Sequence, residues 1–66
     1  MELDVNNIFT EYPNVVNVSQ LQKMLGLGRS KAIELLKSGE INSIRIGRTY
    51  KIPKVFVIDY LNSKGN

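Results

Sequence analysis

The 66-residue chain contains no cysteine, no histidine and no tryptophan. Without cysteine it can form neither a disulfide nor a thiolate metal site, which suits a reducing compartment such as the cytoplasm. Without histidine it lacks the commonest general base and the commonest transition-metal ligand. Since no credible carboxylate pair takes their place, we expect no enzymatic activity, no cofactor, no metal and no small-molecule substrate.

Long hydrophobic runs are also missing. No apolar stretch approaches the ~20 residues that a membrane-spanning helix needs, and no signal-peptide pattern opens the chain. We therefore expect a cytoplasmic protein without a membrane partner. A chain of this length forms one domain at most and buries only about 60% of its unfolded surface, so its core is thin.

Charge is unevenly distributed along the chain. Residues 1–18 contain three acids and no base, whereas residues 19–66 contain all nine bases and three acids, a net charge of +6. So basic a body on so small a domain favours a polyanionic partner, with nucleic acid ahead of an anionic membrane surface. A basic surface that merely keeps the protein in solution is the simpler alternative.

The first segment has apolar residues spaced as on one face of a helix, namely Val5, Ile8, Phe9 and Tyr12. Asp4 is suited to cap such a helix, and Pro13 would end it. The β-branched residues 14–18 then predict a short strand or extended stretch.

Two short helices with a glycine-containing turn follow, as in a helix-turn-helix. We expect Ser19 to cap the first helix and Gly26 to end it in the left-handed conformation. The second helix covers about residues 29–38, between Gly28 and Gly39. Its buried side would carry Ala32, Leu35 and Leu36, and its polar side Ser30, Glu34 and Lys37.

The stretch SIRIGRTYKIP, residues 43–53, predicts a basic β-hairpin. A three-residue tip at residues 47–49 would gather Ile44, Ile46, Tyr50 and Ile52 on one face, with Arg45 and Lys51 on the other. Arg48 would then lie at the apex. Such a hairpin directly after the second helix is typical of the wing of a winged helix. The alternative is a surface hairpin whose charges only protect an edge strand.

A third helix is predicted from Pro53, at its first position, over residues 54–62. It is apolar on more than one side, so one face cannot bury all its hydrophobic residues. The N-terminal stripe is the nearest intramolecular cover for the remainder, and a dimer contact is the alternative. Residues 63–66 are expected to form a frayed tail.

Residues 18–61 resemble the excisionase-family DNA-binding domain, a small MerR-like winged helix of phages and mobile elements. The match follows the family pattern in order: a capped first helix, an LG turn, GRS at the start of the recognition helix, SGE after it, RIGR in the wing and IP before the last helix. The resemblance implies an α+β fold, mostly helical with a small β-hairpin wing, over residues 14–62. Residues 1–13 would then be an additional N-terminal helix.

The resemblance further implies double-stranded DNA as partner, and a role in excision of a mobile element or in transcriptional regulation. It assigns DNA contacts to recognition-helix residues Arg29, Ser30, Lys31, Ile33, Glu34 and Lys37. It assigns backbone or minor-groove contacts to wing residues Arg45, Arg48, Thr49, Lys51 and Lys54. An integrase or recombinase, or a second copy of the chain, would be a further partner, and the location would be the nucleoid of a bacterium.

Two recognition-helix positions depart from the family pattern. Ile33 stands where many members have tyrosine, which leaves a thymine-methyl contact in place of an aromatic phosphate contact. Glu34 stands where arginine is frequent; it would either accept a hydrogen bond from a cytosine amino group or pair with Lys31 or Lys37 on the helix surface. A different class of function also stays open, a protein-interaction module that uses residues 5–12 and helix 54–62.

Overall fold

A computed structural model describes residues 7–64, which form three helices and a three-stranded antiparallel sheet. In chain order the elements are β1 (Val15–Val16), α1 (Val18–Leu25), α2 (Arg29–Ser38), β2 (Ile44–Ile46), β3 (Thr49–Pro53) and α3 (Lys54–Lys64). The strands lie in the order β1-β3-β2. Two helices joined by a short turn, followed by a β-hairpin and a third helix, confirm the predicted winged helix-turn-helix architecture.

The core lies between the helices and the inner face of the sheet. Every element except β2 contributes to it, and the loop after α2 contributes Ile41. The largest fully buried side chains are those of Val16, Leu21, Leu35, Ile41, Ile52 and Val57. The predicted buried side of α2 is confirmed, because Ala32, Leu35 and Leu36 all lie in this core.

The N-cap of helix α1 lies two residues before the predicted one. Asn17, not Ser19, is the N-cap: its Oδ1 accepts a hydrogen bond from the Gln20 backbone N–H at 2.8 Å, and the Asn17 N–H donates to Gln20 Oε1 at 3.0 Å. This reciprocal capping box satisfies two otherwise orphaned donors. Gly26 ends the helix at φ 66°, and Gly39 ends α2 at φ 83°, both as predicted.

The predicted N-terminal helix is wrong for the residues that the structure describes, and its first residues lie outside them. Residues 7–13 form turns and bends. Phe9 adopts φ 57°, a left-handed conformation that cannot continue a right-handed helix. The side chains of Phe9 and Tyr12 pack edge to face at 6.0 Å and lie against the core. These two residues of the apolar stripe therefore pack on the chain's own core from a turn and not from a helix.

The predicted register of the hairpin is also wrong. Ile44 pairs with Lys51, Arg45 with Tyr50 and Ile46 with Thr49, so the turn contains only Gly47 and Arg48. Gly47 has φ 62°, as expected at the first central position of a type II′ turn. Consequently Ile44 and Ile46 lie on the outer face of the sheet, 56% and 62% exposed, although the alternation predicted them to be buried.

Helix α3 begins and ends slightly later than predicted. Pro53 is the last residue of β3 and pairs with Val15, so the helix starts at Lys54. Val57 and Ile58 point into the core. The helix continues through Lys64, so residues 63 and 64 are helical and not frayed; residues 65–66 lie outside the described part.

Candidate nucleic-acid interface

Helix α2 presents a polar, mostly basic face to solvent. Because Ala32, Leu35 and Leu36 anchor the opposite side, the outward positions are fixed by the helical period. The exposed residues are Arg29, Ser30, Lys31, Glu34, Lys37 and Ser38, and Ile33 is half-buried at their edge. Six residues of this helix line an open depression along it: Arg29, Ser30, Ile33, Glu34, Lys37 and Ser38. Five of the six predicted recognition-helix residues therefore share one accessible surface, and the sixth, Lys31, is outside its lining.

Glu34 pairs with a neighbouring lysine on this surface. Its Oε1 lies 3.7 Å from Lys31 Nζ, three residues earlier, and both side chains are more than half exposed. Such a pair adds only a few tenths of a kcal/mol to helix stability. Of the two interpretations of Glu34, a cytosine contact or a helix-surface pair, the structure contains the pair with Lys31.

The β2–β3 hairpin, residues 43–53, is called the wing from here on. Its register divides the basic residues between two faces, because cross-strand partners point to the same side. Lys51 and Thr49 share the outer face with the two exposed isoleucines, while Arg45 shares the inner face with Tyr50. Arg48 occupies the turn. This arrangement corrects the prediction that Arg45 and Lys51 lie together on one polar face.

Arg45 and Tyr50 form a cation–π contact across the hairpin. The Arg45 guanidinium carbon lies 5.2 Å from the centroid of the Tyr50 ring, which is itself buried. A guanidinium held over a ring in this way loses some of its freedom while keeping its charge and its donors exposed. Arg45 is thus an exposed positive charge of the wing that is held in place by the Tyr50 ring.

Lys54 does not belong to this surface, although it was predicted as a wing contact. The residue is 6% exposed, and its Nζ donates to the backbone carbonyls of Phe9 and Tyr12, each at 3.0 Å. Its own backbone N–H donates to the Asn14 carbonyl at 2.7 Å. A buried ammonium with these acceptors is occupied in holding the N-terminal turn. Lys54 is therefore a structural residue.

A cleft of about 240 Å³ lies where the starts of α1 and α2 meet the wing. Its lining brings together Arg29 from α2 and Arg48 from the turn of the wing. The remaining residues are Asn17, Val18, Ser19, Thr49 and Tyr50. Arg29 and Arg48 are 19 positions apart in sequence, and each was predicted to contact DNA, one from the recognition helix and the other from the wing. The fold places both at one concave surface.

The contribution of α1 to this cleft was not predicted from the sequence. Ser19 was interpreted as a cap, whereas the true cap, Asn17, leaves the Ser19 side chain exposed beside the two arginines. The pattern Asn17-x-x-Gln20 contained the signal, because an N-cap residue followed three positions later by glutamine marks a capping box.

The basic residues of this surface are largely unpaired. The ion pairs within residues 7–64 are Lys31 with Glu34 and Lys64 with Glu40. In that part of the chain, no carboxylate lies within 4.0 Å of Arg29, Lys37, Arg45, Arg48 or Lys51. Five unneutralised cations on so small a body create a positive potential that attracts polyanions.

Neither a metal-ion site nor a membrane-spanning helix is found within residues 7–64. That range contains no group of three or more acidic residues arranged to hold a metal ion. None of its helices has the length and apolar character required to traverse a bilayer.

Comparison with known proteins gives two matches. Residues 15–65 match the model of a helix-turn-helix domain family. A protein of Saccharopolyspora erythraea described as "Probable excisionase" is 48% identical over 46 residues, which cover 70% of this chain and 47% of the relative. The chain thus spans about half the length of this curated relative. No solved structure matches the chain.

Proposed function

Because the chain belongs to the helix-turn-helix domain family, with the excisionase likeness that its sequence indicated, we propose that it is a sequence-preferring binder of double-stranded DNA. The observation that carries this proposal is the shared cleft of Arg29 and Arg48. A helix and a hairpin that meet with unpaired arginines can engage the same stretch of duplex together. Helix α2 would enter the major groove, and the wing would follow the adjacent backbone or minor groove.

The roles of the side chains follow from their positions. Lys37, Lys51 and the arginines contact phosphates, which supply most of the affinity and set the register. Ser30 and Lys31, on the first turn of α2, reach base edges. Ile33 offers its exposed portion to a thymine methyl group. Thr49 adds a hydroxyl donor at the wing.

The cellular process is inferred from the relative. A "Probable excisionase" with 48% identity supports a role in excising a mobile element, where a small DNA-binding protein prepares the site for a recombinase. Transcriptional regulation uses the same DNA-binding chemistry and is the second role. A monomer of this size has a small contact surface. Occupancy of repeated sites by several copies, or contact with an integrase, would therefore raise its affinity.

Selection from random duplex DNA tests the proposal directly. Wild-type protein and Arg48→Ala are each incubated with the pool at two salt concentrations, and bound molecules are sequenced. An enriched motif that is weakened in Arg48→Ala is the expected result. Absence of enrichment and of salt-dependent binding at micromolar protein would overturn the proposal.

Salt dependence gives the quantitative prediction. Six basic residues remain on the interface after Lys54 is removed from it, and if they neutralise four or five phosphates, log K falls against log salt with a slope of about −3.6 to −4.5. The slope is measured by fluorescence anisotropy on one labelled duplex. A slope near zero would contradict the electrostatic part of the proposal.

The protein-interaction module is the competing function. Such a module would use the N-terminal stripe, but two residues of the stripe, Phe9 and Tyr12, already pack against the chain's own core. Residue 5 lies outside the described part. Molar mass in solution separates the two functions, because an interaction module that self-associates would form dimers without DNA.

A further inference from the structure

We propose that the cleft between α1, α2 and the wing binds one phosphodiester group of the DNA backbone, held by Arg29 and Arg48 together. This inference rests on the proposed function and specifies how the helix and the wing are coupled. It differs from separate contacts, in which each arginine would neutralise a phosphate of its own.

The lining of the cleft favours an anion of this kind. It contains two guanidinium groups, the hydroxyls of Ser19 and Thr49, and no carboxylate among the described residues. Arginine presents a planar fork of N–H donors that matches the oxygen atoms of a phosphate. A ligand here meets donors from three different elements.

Charge distinguishes this cleft from the depression beside α3. That depression, about 340 Å³, is lined by Glu40 and Asp59 with Lys64 as the one cation among its described lining residues. Two carboxylates would repel a phosphate. Of these two sites, the cleft between α1, α2 and the wing is therefore the one suited to the DNA backbone. The difference also gives the molecule a basic side and a mixed side.

The cleft is better suited to phosphate than to a nucleobase. An inserted base needs an aromatic face to stack on, and the ring in the cleft, Tyr50, is buried and already lies under Arg45. Asn17, which could read a base edge, uses its Oδ1 on the Gln20 N–H. What remains free is a set of positively charged and hydroxyl donors.

A single shared phosphate has a mechanical consequence. Arg29 is the first residue of α2, and Arg48 lies in the turn that precedes β3, the strand that Tyr50 and Ile52 anchor in the core. One phosphate between them fixes the depth of the recognition helix and the position of the wing at once. Loss of either arginine would loosen both contacts.

Arg29→Gln, Arg48→Gln and the double variant test this coupling on a non-specific duplex. For one shared phosphate, we expect the salt slope of the double variant to fall by about 0.9, and affinity to fall about tenfold in each single variant but only about 20-fold in the double. Two separate phosphates predict a slope change of about 1.8 and an additive, about hundredfold, loss. That additive result would overturn the inference and leave DNA binding intact.

Lys23→Gln is the matched control, because Lys23 is an exposed base in the last turn of α1 that lines none of these surfaces. Its slope should equal that of the wild type. Circular dichroism of every variant verifies folding. If the wild-type chain itself binds no duplex, the proposed function fails and the inference falls with it, which differs from the additive result.

A scan of the DNA provides a second test that keeps the wild-type protein. On a selected site, each phosphate is replaced in turn by a neutral methylphosphonate. One position should cause the largest loss for the wild type, and both Arg29→Gln and Arg48→Gln should be insensitive at that same position. Insensitivity of the two variants at different positions would contradict a shared phosphate.

Discussion

The ammonium of Lys54 lies inside the fold, where two backbone carbonyls replace its hydration shell. The turn that approaches the start of α3 supplies both acceptors, and these hydrogen bonds offset the free-energy cost of removing the ammonium from water. In the sequence, Lys54 continues a series of basic residues, and nothing local separates it from Lys51. Only the long-range contact with Phe9 and Tyr12 reveals its structural role, which explains why the sequence placed it on the DNA surface.

Lys54→Met tests this role. The thioether keeps much of the apolar stem, but the Tyr12 carbonyl loses its donor and the Phe9 carbonyl keeps only the Tyr12 N–H. We therefore expect a loss of about 1–3 kcal/mol in the free energy of unfolding. Urea denaturation measures it. The exposed Lys51→Met is the control and should change stability by less than about 0.5 kcal/mol. Equal stabilities for the two variants would refute the buried role.

DNA binding by the same two variants gives the opposite order. At a temperature where both are folded, Lys51→Met should lower the salt slope and Lys54→Met should leave it unchanged, since only the former removes an exposed charge.

At the scale of elements, the wing shows whether apolar alternation or turn geometry determines the register of a hairpin. Alternation alone favoured burying Ile44 and Ile46, which requires a three-residue tip. The observed two-residue turn matches the twist of the flanking strands, and Gly47 supplies the conformation that it needs. Strand β3 is fixed by Tyr50 and Ile52, whereas β2 is an edge strand that contributes nothing to the core. Turn geometry therefore set the register.

Helices α1 and α2 were more predictable than the wing. Their glycine ends and the buried side of α2 followed from local rules and were confirmed. The prediction for the N-terminal segment failed because its apolar spacing is compatible with a turn as well as with a helix. The long-range hydrogen bonds from Lys54 of α3 to the carbonyls of Phe9 and Tyr12 favour the turn. Residues 29 and 48 were each named correctly as exposed bases, but their convergence depends on tertiary structure.

Substitution of Gly47 tests the turn. Gly47→Ala should cost about 1–2 kcal/mol, because a side chain disfavours φ 62° while nothing lies within 4 Å of the added Cβ. Gly47→Asn should cost less, since asparagine tolerates positive φ better than alanine. Thermal unfolding measures both. Full stability of Gly47→Ala would contradict the turn described here.

The end of α3 is tied to the loop after α2 by an ion pair. Lys64 Nζ lies 3.1 Å from Glu40 Oε1, and the hydrogen bond and charge of Lys64 lower the pKa of the Glu40 carboxyl below its ordinary value of 4.5. A carboxyl whose pKa is lower in the folded state stabilises the fold above pH 4.5. That contribution disappears as the pH falls through the lower folded-state value.

Glu40→Gln should therefore flatten part of the acid limb of stability. We expect the urea midpoint of the wild type to fall more steeply between pH 5 and pH 3 than that of Glu40→Gln, by a small margin since the pair is exposed. Lys64→Gln should flatten the curve in the same way. Parallel curves for wild type and both variants would show that the pair contributes nothing.

At the scale of the whole molecule, a thin core supports a strongly charged surface. For 66 residues a total stability of about 3–10 kcal/mol is expected, and like charges gathered on one side reduce the net value. A polyanion on that side would relieve the repulsion, so the proposed binding of DNA is expected to stabilise the fold. The proposed function would then be linked to stability.

Leu21→Ala tests how thin the core is. Leu21 is fully buried, and its truncation should cost about 2–5 kcal/mol, a large share of the total. We expect a mostly unfolded or barely folded domain by circular dichroism, and partial recovery of helicity on adding duplex DNA. Ile46→Ala, at an exposed position, should remain folded throughout. Unimpaired folding of Leu21→Ala would indicate a more redundant core.

The hydrogen bonds from Lys54 to Phe9 and Tyr12 also determine how much of the chain belongs to the folded domain. The family match begins at residue 15, which suggests that everything before it can be trimmed. Trimming there would delete both carbonyl acceptors of Lys54 Nζ, together with the Asn14 carbonyl that accepts from the Lys54 backbone N–H. Anyone who shortens, permutes or fuses this chain should therefore cut upstream of Phe9, because the domain boundary drawn by similarity falls inside the folded unit.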